Sequence, residues 1–258
     1  MRQTWLIART VLLEAVRRRE VYVVVAIATL LIAAVVSLDF FGLSGLSKFY
    51  REVALRVSGF SCAITVVVLA SRQLPREFQQ RTLHPILARP IHRTTFLLGK
   101  LLGVVLAALF ALGLFLAVFC AGTLLFGGSI PASLLLQYAL LQGVLFALLA
   151  AFCFWLSMVV NLDAAITLGA LLYFGGQIFS SMTATFHQTA GAGGRILAAA
   201  LTWLIPHLDL LDLTEKAIHA EAWRPLTLVE LSQLAGYGLL YTAAYFAIAA
   251  WVFHRRPL

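Results

Sequence analysis

The sequence predicts an all-α integral membrane protein with six transmembrane helices. Of its 258 residues, 62% are hydrophobic and only 12% are charged, whereas soluble domains carry about a quarter of charged residues. Several apolar runs approach or exceed the roughly 20 residues that a helix needs to cross a bilayer. No alternating segments of about ten residues indicate the strands of an outer-membrane barrel. We therefore expect a single helical membrane domain over residues 1–258.

The apolar runs place the six spans in the chain. They cover about 21–38, 53–71, 97–126, 133–160, 164–181 and 233–253. The first is predicted to be a permanent span, because its apolar core is followed by no clear small-residue cleavage site. The third and fourth exceed the minimum length, so they should tilt or project beyond the hydrocarbon. The sequence NLDA at 161–164 predicts a tight link, with Asp163 as the N-cap of the fifth span.

The positions of the lysines and arginines predict the orientation. Thirteen of the 19 lie before the first span, between spans two and three, or after the last span: Arg2, Arg9, Arg17, Arg18, Arg19, Arg72, Arg76, Arg81, Arg89, Arg93, Lys100, Arg255 and Arg256. The positive-inside rule places these segments, and with them both termini, in the cytoplasm. We expect a multi-pass protein of a bacterial inner membrane. The net charge of +8 then serves topology, and no nucleic-acid partner is expected.

Residues 1–20 are predicted to form an interfacial helix on the inner membrane surface. Apolar side chains alternate there with arginines that suit anionic lipid headgroups. The apolar residues are Trp5, Leu6, Leu12, Leu13 and Val16. A plain juxtamembrane anchor is the alternative explanation of the arginines.

Small residues recur at every fourth position in two spans. The first ridge is Gly99, Gly103, Ala107 and Ala111, and the second is Gly143, Ala147 and Ala151. Such ridges let helix backbones approach closely in lipid, where no hydrophobic force drives helices together. We interpret both ridges as helix-packing surfaces within one bundle, with a subunit interface as the alternative.

The segment REFQQRTLHPILARPIHRTTFLLGK, from Arg76 to Lys100, is the most polar part of the first half of the chain. Pro75 and Glu77 suit the first turn of a helix. Pro85 ends or kinks that helix near His84. The pattern predicts a short, basic, exposed helix between spans two and three, and a simple topology anchor is the alternative.

This segment resembles the cytoplasmic signature of type-2 ABC exporter permeases. In that signature an acidic residue precedes Gly-Thr or Arg-Thr, Leu-Leu, a basic residue, proline, a second basic residue and Gly-Lys. The matching residues are Glu77, Arg81, Thr82, Leu83, Leu87, Arg89, Pro90, Arg93, Gly99 and Lys100. The glycine common before the threonine is Arg81 here. The six-span order and the chain length extend the likeness over nearly all of the sequence. LIPHLDLLDL, at 204–213, is similar to a branch that includes permeases linked to copper-enzyme maturation.

The resemblance implies that segment 75–93 is a coupling helix that sits in a cleft of a cytoplasmic ABC ATPase. The implied coupling residues are Arg76, Glu77, Arg81, Thr82, Leu83, Arg89, Pro90 and Arg93. It further implies a homodimer with one ATPase bound per copy, substrate export, and ATP and magnesium in the ATPase. A periplasmic accessory protein and membrane lipid are further expected partners. The chain itself is expected to hold no cofactor or metal and to have no catalytic residues.

The residues support the expectation that nucleotide binds elsewhere. A phosphate-binding loop would need glycine five residues before Gly99 and serine or threonine after Lys100. Thr94 and Leu101 occupy those positions. The sequence therefore predicts a transport subunit whose ATPase activity resides in a partner chain.

Two other function classes were weighed. The sequence GLSG at 42–45 matches the serine motif of rhomboid intramembrane proteases, but all six histidines lie outside the predicted spans, so no intramembrane base is available. A stand-alone secondary transporter would need an ionisable group near the middle of the bilayer. No predicted span clearly supplies one.

The charged residues predicted to lie on the non-cytoplasmic side are interpreted as structural. His207, Asp209, Asp212, Glu215 and His219 lack the tight spacing of a metal site, so solvated capping charges are the favoured interpretation. Glu52 and Arg56 are four residues apart near the start of span two, and an i, i+4 ion pair is expected there.

Overall fold

A computed structural model of the chain confirms the all-α class: nearly all of the residues that it describes are helical, and they include no strand. The described residues are 2–17, 26, 29–30, 33, 46–79, 92–125, 132–189, 206–218 and 224–255. Their helices are α1 (Arg2–Arg17), α2 (Leu46–Gln79), α3 (Arg93–Leu125), α4 (Ala132–Val159), α5 (Leu162–Thr189), α6 (Thr214–Ile218) and α7 (Leu228–Arg255), with a 3-10 turn at Leu208–Leu211 before α6.

Four of these helices are long and apolar enough to cross a membrane. The segments are Phe49–Glu77, Arg93–Leu124, Ala132–Val159 and Leu228–Arg255. They correspond to the second, third, fourth and sixth predicted spans. The predicted span at 164–181 lies within α5, which has 28 residues but is not among the four. The span at 21–38 lies largely outside the described residues, so the count of six stays a prediction.

Helix α4 is the centre of the bundle. It packs against α2, α3, α5 and α7. A helix that is apolar on all sides needs apolar surroundings, either other helices or lipid. Helix α4 finds them largely within the protein, where it buries Tyr138, Phe146 and Phe154 completely. On α7, Tyr245 contacts the ring of Phe152 at 5.1 Å and stacks on Trp155 at 6.2 Å between ring centroids. These aromatic contacts align α7 along α4.

Helix α1 packs against the first half of α3 through two glycines. A Cβ atom at Gly99 would lie 2.8 Å from Cβ of Ile7, and one at Gly103 would lie 2.5 Å from Cβ of Val11. The backbones approach this closely because neither glycine has a side chain. The opposite side of α1 exposes Trp5. The first half of the first ridge therefore contacts a helix of the same chain.

The other ridge residues lie at contacts inside the bundle as well. Ala107 and Ala111 of α3 are buried, as is Ala151 of α4. Gly143 is half-buried, and a Cβ atom there would lie 3.3 Å from Leu109. Ala147 is half-buried.

Two helix boundaries differ from the prediction. Helix α2 continues through Pro75 to Gln79, whereas the sequence placed Pro75 at the start of a separate helix. Buried Gln73 and Leu74 hold the last turns of α2 against the bundle, which offsets the hydrogen bond that the proline removes. Helix α5 begins at Leu162, so Asp163 lies in its first turn and not at its N-cap.

The contact between α1 and α3 generates a prediction with an internal control. Gly103→Ala should cost about 1–3 kcal/mol, because the new methyl group overlaps Val11 and the helices must separate. Gly113→Ala should be neutral or slightly stabilising, since alanine favours a helix by up to about 1 kcal/mol over glycine. A Cβ atom at Gly113 meets nothing within 4 Å in the described part of the chain. Thermal unfolding in detergent measures both, and equal midpoints would contradict the close packing.

Candidate functional site

Three of the eight predicted coupling residues lie in the described part of the chain. Arg76 and Glu77 belong to the last turn of α2, and Arg93 is the first residue of α3. The remaining five lie outside the described residues: Arg81, Thr82, Leu83, Arg89 and Pro90. The structure therefore describes both helix ends that flank 80–91. We call this end of the bundle, with α1 and the C-terminal end of α7, the basic end.

A buried ion pair joins the two helix ends. The Nζ atom of Lys100 lies 2.7 Å from Oε1 of Glu77, and the two side chains are only 8% and 18% exposed. The same Nζ donates a hydrogen bond to Oε1 of Gln73 at 3.1 Å and lies 5.7 Å from the ring centroid of Phe96. A charge-assisted bond of this length is strong and directional in a low-dielectric site. It fixes the end of α2 to the start of α3.

Arg76 connects the end of α2 to α1. Its Nη1 atom donates to Oε1 of Glu14 at 2.7 Å, with both side chains about half exposed. Exposed pairs contribute little to stability, but this one directs the Arg76 guanidinium towards α1. Arg76 was predicted to contact the ATPase, whereas in the structure its guanidinium donates to a glutamate of the same chain.

Arg93 connects the start of α3 to the end of α7. Its Nη1 atom donates to the backbone oxygens of Phe253 and His254, each at 3.2 Å. The last carbonyls of a helix have no intrahelical donor, and they carry partial negative charge. Arg93 supplies these carbonyls with both a hydrogen-bond donor and a positive charge. Its guanidinium also lies 6.0 Å from the ring centroid of Phe253. Phe96 of α3 stacks on the same ring at 6.3 Å.

The basic end is thus one connected unit of α1, α2, α3 and α7 around the two ends of segment 80–91. Glu77 and Arg93 were predicted as signature residues and Arg76 as a further coupling residue, but the partners of these three side chains were not predicted. Glu14 lies 62 residues before Arg76, and no periodic pattern relates residues so far apart. Lys100 was itself a residue of the signature, at the edge of a long apolar run, but its pairing with Glu77 was not predicted.

The opposite end of the bundle, which we call the far end, holds a second polar group. The 3-10 turn Leu208–Leu211 enters between α4, α5 and α7, and both of its terminal leucines are completely buried. Two glycines make room for them. A Cβ atom at Gly176 would lie 2.8 Å from Leu208, and one at Gly238 would lie 3.0 Å from Leu211.

Asp212, directly after this turn, is the hub of the far-end group. Its Oδ1 atom accepts hydrogen bonds from Nε2 of Gln142 at 3.3 Å and from the backbone N–H of Thr214 at 2.9 Å. The Thr214 hydroxyl also donates to it. Oδ2 accepts from Nε2 of Gln177 at 3.3 Å. Asp212 caps the start of α6 through its bonds with Thr214, as expected. Its two bonds with glutamines of the long helices α4 and α5 were not predicted.

Arg56 forms the exposed contact expected at the far end. Arg56 lies 3.2 Å from Glu52, as the i, i+4 spacing predicted, and 3.8 Å from Glu215 of α6. Over the described ranges, no group of three histidine, cysteine, aspartate or glutamate residues is arranged to hold a metal ion. His219 lies outside those ranges.

The buried pair at the basic end gives the second prediction. Lys100→Met should destabilise the protein by about 3–5 kcal/mol, because Glu77 loses the cation 2.7 Å away in a largely buried pair. Lys100→Met combined with Glu77→Gln should recover much of that loss, because neither charge of the pair remains. Arg56→Met is the matched control: its pairs are exposed, so the expected loss is below about 1 kcal/mol. Thermal unfolding in nanodiscs distinguishes these outcomes, and a loss of similar size at Arg56 and Lys100 would contradict the assigned role.

The sequence was then compared with known proteins. Residues 5–258 match the family model described as ABC-2 family transporter protein. None of the curated proteins compared with the chain matches it. The family match covers nearly the whole sequence, and it agrees with the four long apolar helices and with the signature residues flanking segment 80–91. The chain is therefore a multi-pass membrane protein that belongs to the ABC-2 transporter family, as a type-2 ABC permease.

Proposed function

We propose that this permease is the membrane subunit of an ATP-driven exporter of a bacterial inner membrane, with both termini in the cytoplasm. Permeases of its family generally work with a cytoplasmic ABC ATPase. In the proposed complex two copies of the chain bind two ATPase subunits, which hold ATP and magnesium. The observation that carries the proposal is the buried pair between Glu77 and Lys100, which joins the helix ends on both sides of the proposed coupling segment.

The connected basic end supplies a mechanism for coupling. A displacement of segment 80–91 by the ATPase would reach α2 and α3 together, because the Glu77–Lys100 pair holds their ends at a fixed distance. Arg93 would pass the movement to α7 and Arg76 would pass it to α1. Rigid helices joined by discrete contacts transmit small shifts without absorbing them.

Helix α2 extends this connection to the far end. Gly59 lies about 30 Å along α2 from Gln79, at the helical rise of about 1.5 Å per residue. A Cβ atom at Gly59 would lie 3.3 Å from the Tyr138 hydroxyl oxygen and 3.5 Å from Nε2 of Gln142. A shift of α2 along its axis would therefore disturb the far-end polar group. The proposed cycle links ATP hydrolysis at one end to opening at the other.

One observation favours a second candidate, an ATP-independent secondary transporter. The sequence showed no ionisable group in a predicted span that would suit such a mechanism. Asp212 now supplies a carboxylate between the long helices, carried by a turn and not by a span. Transport by purified permease in proteoliposomes, without an ATPase and with an ion gradient, would establish this candidate in place of the first.

The third prediction tests the coupling segment. Replacing Arg81 and Arg89 with glutamate should weaken binding of the partner ATPase and reduce its stimulated activity at least about tenfold, since one charged contact contributes about 1.5–3 kcal/mol and 1.4 kcal/mol is a factor of ten. Arg76 is left unchanged because its guanidinium bonds to Glu14 within the chain. ATPase stimulation and co-purification are the measurements.

Arg56→Glu is the control for that experiment. It reverses a charge of the same type at the far end, where Arg56 is exposed, and it should leave ATPase stimulation unchanged. Thermal unfolding of each variant checks that the fold is intact. Normal stimulation by the Arg81 and Arg89 variant, or equal loss in the Arg56 control, would refute the proposed docking segment.

A further inference from the structure

We propose that Asp212, Gln142, Gln177 and Tyr138 form a binding site for a small monovalent cation at the far end of the permease. We call these four residues the Asp212 site. Binding at this site requires neither an ATPase nor ATP, so it can be tested separately from the proposed coupling function.

The Asp212 site combines the completely buried Tyr138 and the buried Gln142 with Asp212, which is half-buried. Gln142 is ten residues beyond the start of α4, which corresponds to about 15 Å along the helix axis at about 1.5 Å per residue. Leu211, next to Asp212, packs against Gly238, which is also ten residues beyond the start of α7. The segment 206–214 therefore brings the half-buried carboxylate against α4 and α5, inward of the first turns of α4. Apolar Leu208 and Leu211 are fully buried beside it.

The charge of Asp212 is not balanced in the described part of the chain. All four of its hydrogen bonds come from neutral donors: two amide groups, one backbone N–H and one hydroxyl. No described lysine, arginine or histidine pairs with it. A carboxylate among apolar helices is costly unless it is paired, and such residues in membrane proteins usually mark ion or substrate sites. The site therefore has a net charge of about −1 that a bound cation would neutralise.

The Tyr138 hydroxyl is an independent sign of an occupant. The Tyr138 side chain is completely buried, and its hydroxyl oxygen has no hydrogen-bond partner among the residues described. It lies next to the Gln142 amide, since both atoms approach the same Cβ position at Gly59. Buried polar groups are nearly always bonded, so a buried hydroxyl that the described residues leave without a bond, next to a ligand of Asp212, indicates a place for an occupant.

The donor set favours a monovalent cation over a divalent metal. The available ligands are one carboxylate, one phenol oxygen and the two amide groups, whose carbonyl oxygens would bind a cation after a simple rotation. Calcium and magnesium sites usually use more carboxylates or several bound waters, and zinc sites use histidine or cysteine. A single negative charge among oxygen ligands suits an alkali ion or the primary ammonium group of a transported molecule. An alkali ion and a primary ammonium group would both bind as a single positive charge among oxygen ligands.

Thermal unfolding of the full-length permease in nanodiscs tests the site. The unfolding midpoint is measured in sodium, potassium, methylammonium and N-methyl-D-glucamine chloride at equal ionic strength and pH. A bound cation at concentration c stabilises the folded state by RT ln(1 + c/Kd), so the midpoint rises with the logarithm of the cation concentration above Kd. We expect such a rise with at least one of the three small cations and none with the bulky fourth. A rise with an alkali ion identifies an ion site, and a rise with methylammonium alone identifies an amine site.

Three variants connect that rise to the residues. Asp212→Asn keeps the shape of the side chain but removes its charge, so the cation concentration needed for a given rise of the midpoint should increase at least about tenfold, the factor that corresponds to 1.4 kcal/mol. Tyr138→Phe removes only the hydroxyl and should increase the required cation concentration about threefold or more. This variant tests the site if the Asp212 variant does not fold. Asp163→Asn is the control, since Asp163 is exposed in the first turn of α5, and it should respond like the unchanged protein.

The proposal is overturned by any of three results. The unchanged permease could show no cation-dependent rise, or a rise of equal size in the bulky cation. The rise could persist unaltered in both site variants. Stabilisation that appears only on lowering the pH, with no effect of the cations, would assign the carboxylate to a proton and also overturn the proposal.

Discussion

The arrangement of the basic end depends on one charge pair inside an apolar bundle. Glu77 is near the end of one long helix, and Lys100 is about two turns into the next. Removing two charges from water is costly, and the cost is recovered only with good geometry and additional hydrogen bonds. The contact of 2.7 Å and the amide of Gln73 meet that requirement. The pair therefore defines the separation of α2 and α3. Arg93 then connects α7 to the start of α3, and Arg76 connects α1 to the end of α2.

Helix α4 imposes a second constraint, because it contacts four other helices. Its buried side chains leave little freedom for α2 and α7 to move independently. The two polar groups lie at opposite ends of this packed core, and α2 contacts both of them through Glu77 and Gly59. Apolar packing in the middle with hydrogen bonds at the ends favours concerted shifts of whole helices over local rearrangement.

The fold class and most long helices were predictable, because hydropathy reports directly on which segments are apolar enough for lipid. The helix ends were less predictable. Hydropathy marks where the apolar run of α2 stops near residue 71, whereas the helix itself continues to Gln79 because its polar last turns pack on α3. Pro75 was informative about local geometry, but tertiary contacts outweighed its preference.

The candidate sites were likewise predictable only in part. The signature flanking segment 80–91 identified Glu77 and Arg93 as residues of interest, since a sequence motif needs no knowledge of the fold. Their partners could not be predicted, because Glu14, Phe253 and His254 come from distant parts of the chain. Asp212 was interpreted as solvated, since a polar loop between spans normally remains in water. Only the buried leucines on either side of the turn, packed against Gly176 and Gly238, explain its position.

The bond from Arg93 to the last carbonyls of α7 has a practical consequence. It holds the C-terminal end of the final helix directly beside the first turn of α3. A purification tag or fluorescent protein fused shortly after Arg255 would therefore be tethered within a few ångströms of the junction where the proposed partner docks. Its bulk would compete for the same space, and a loss of activity in such a fusion would reflect crowding of this junction and not misfolding of the bundle.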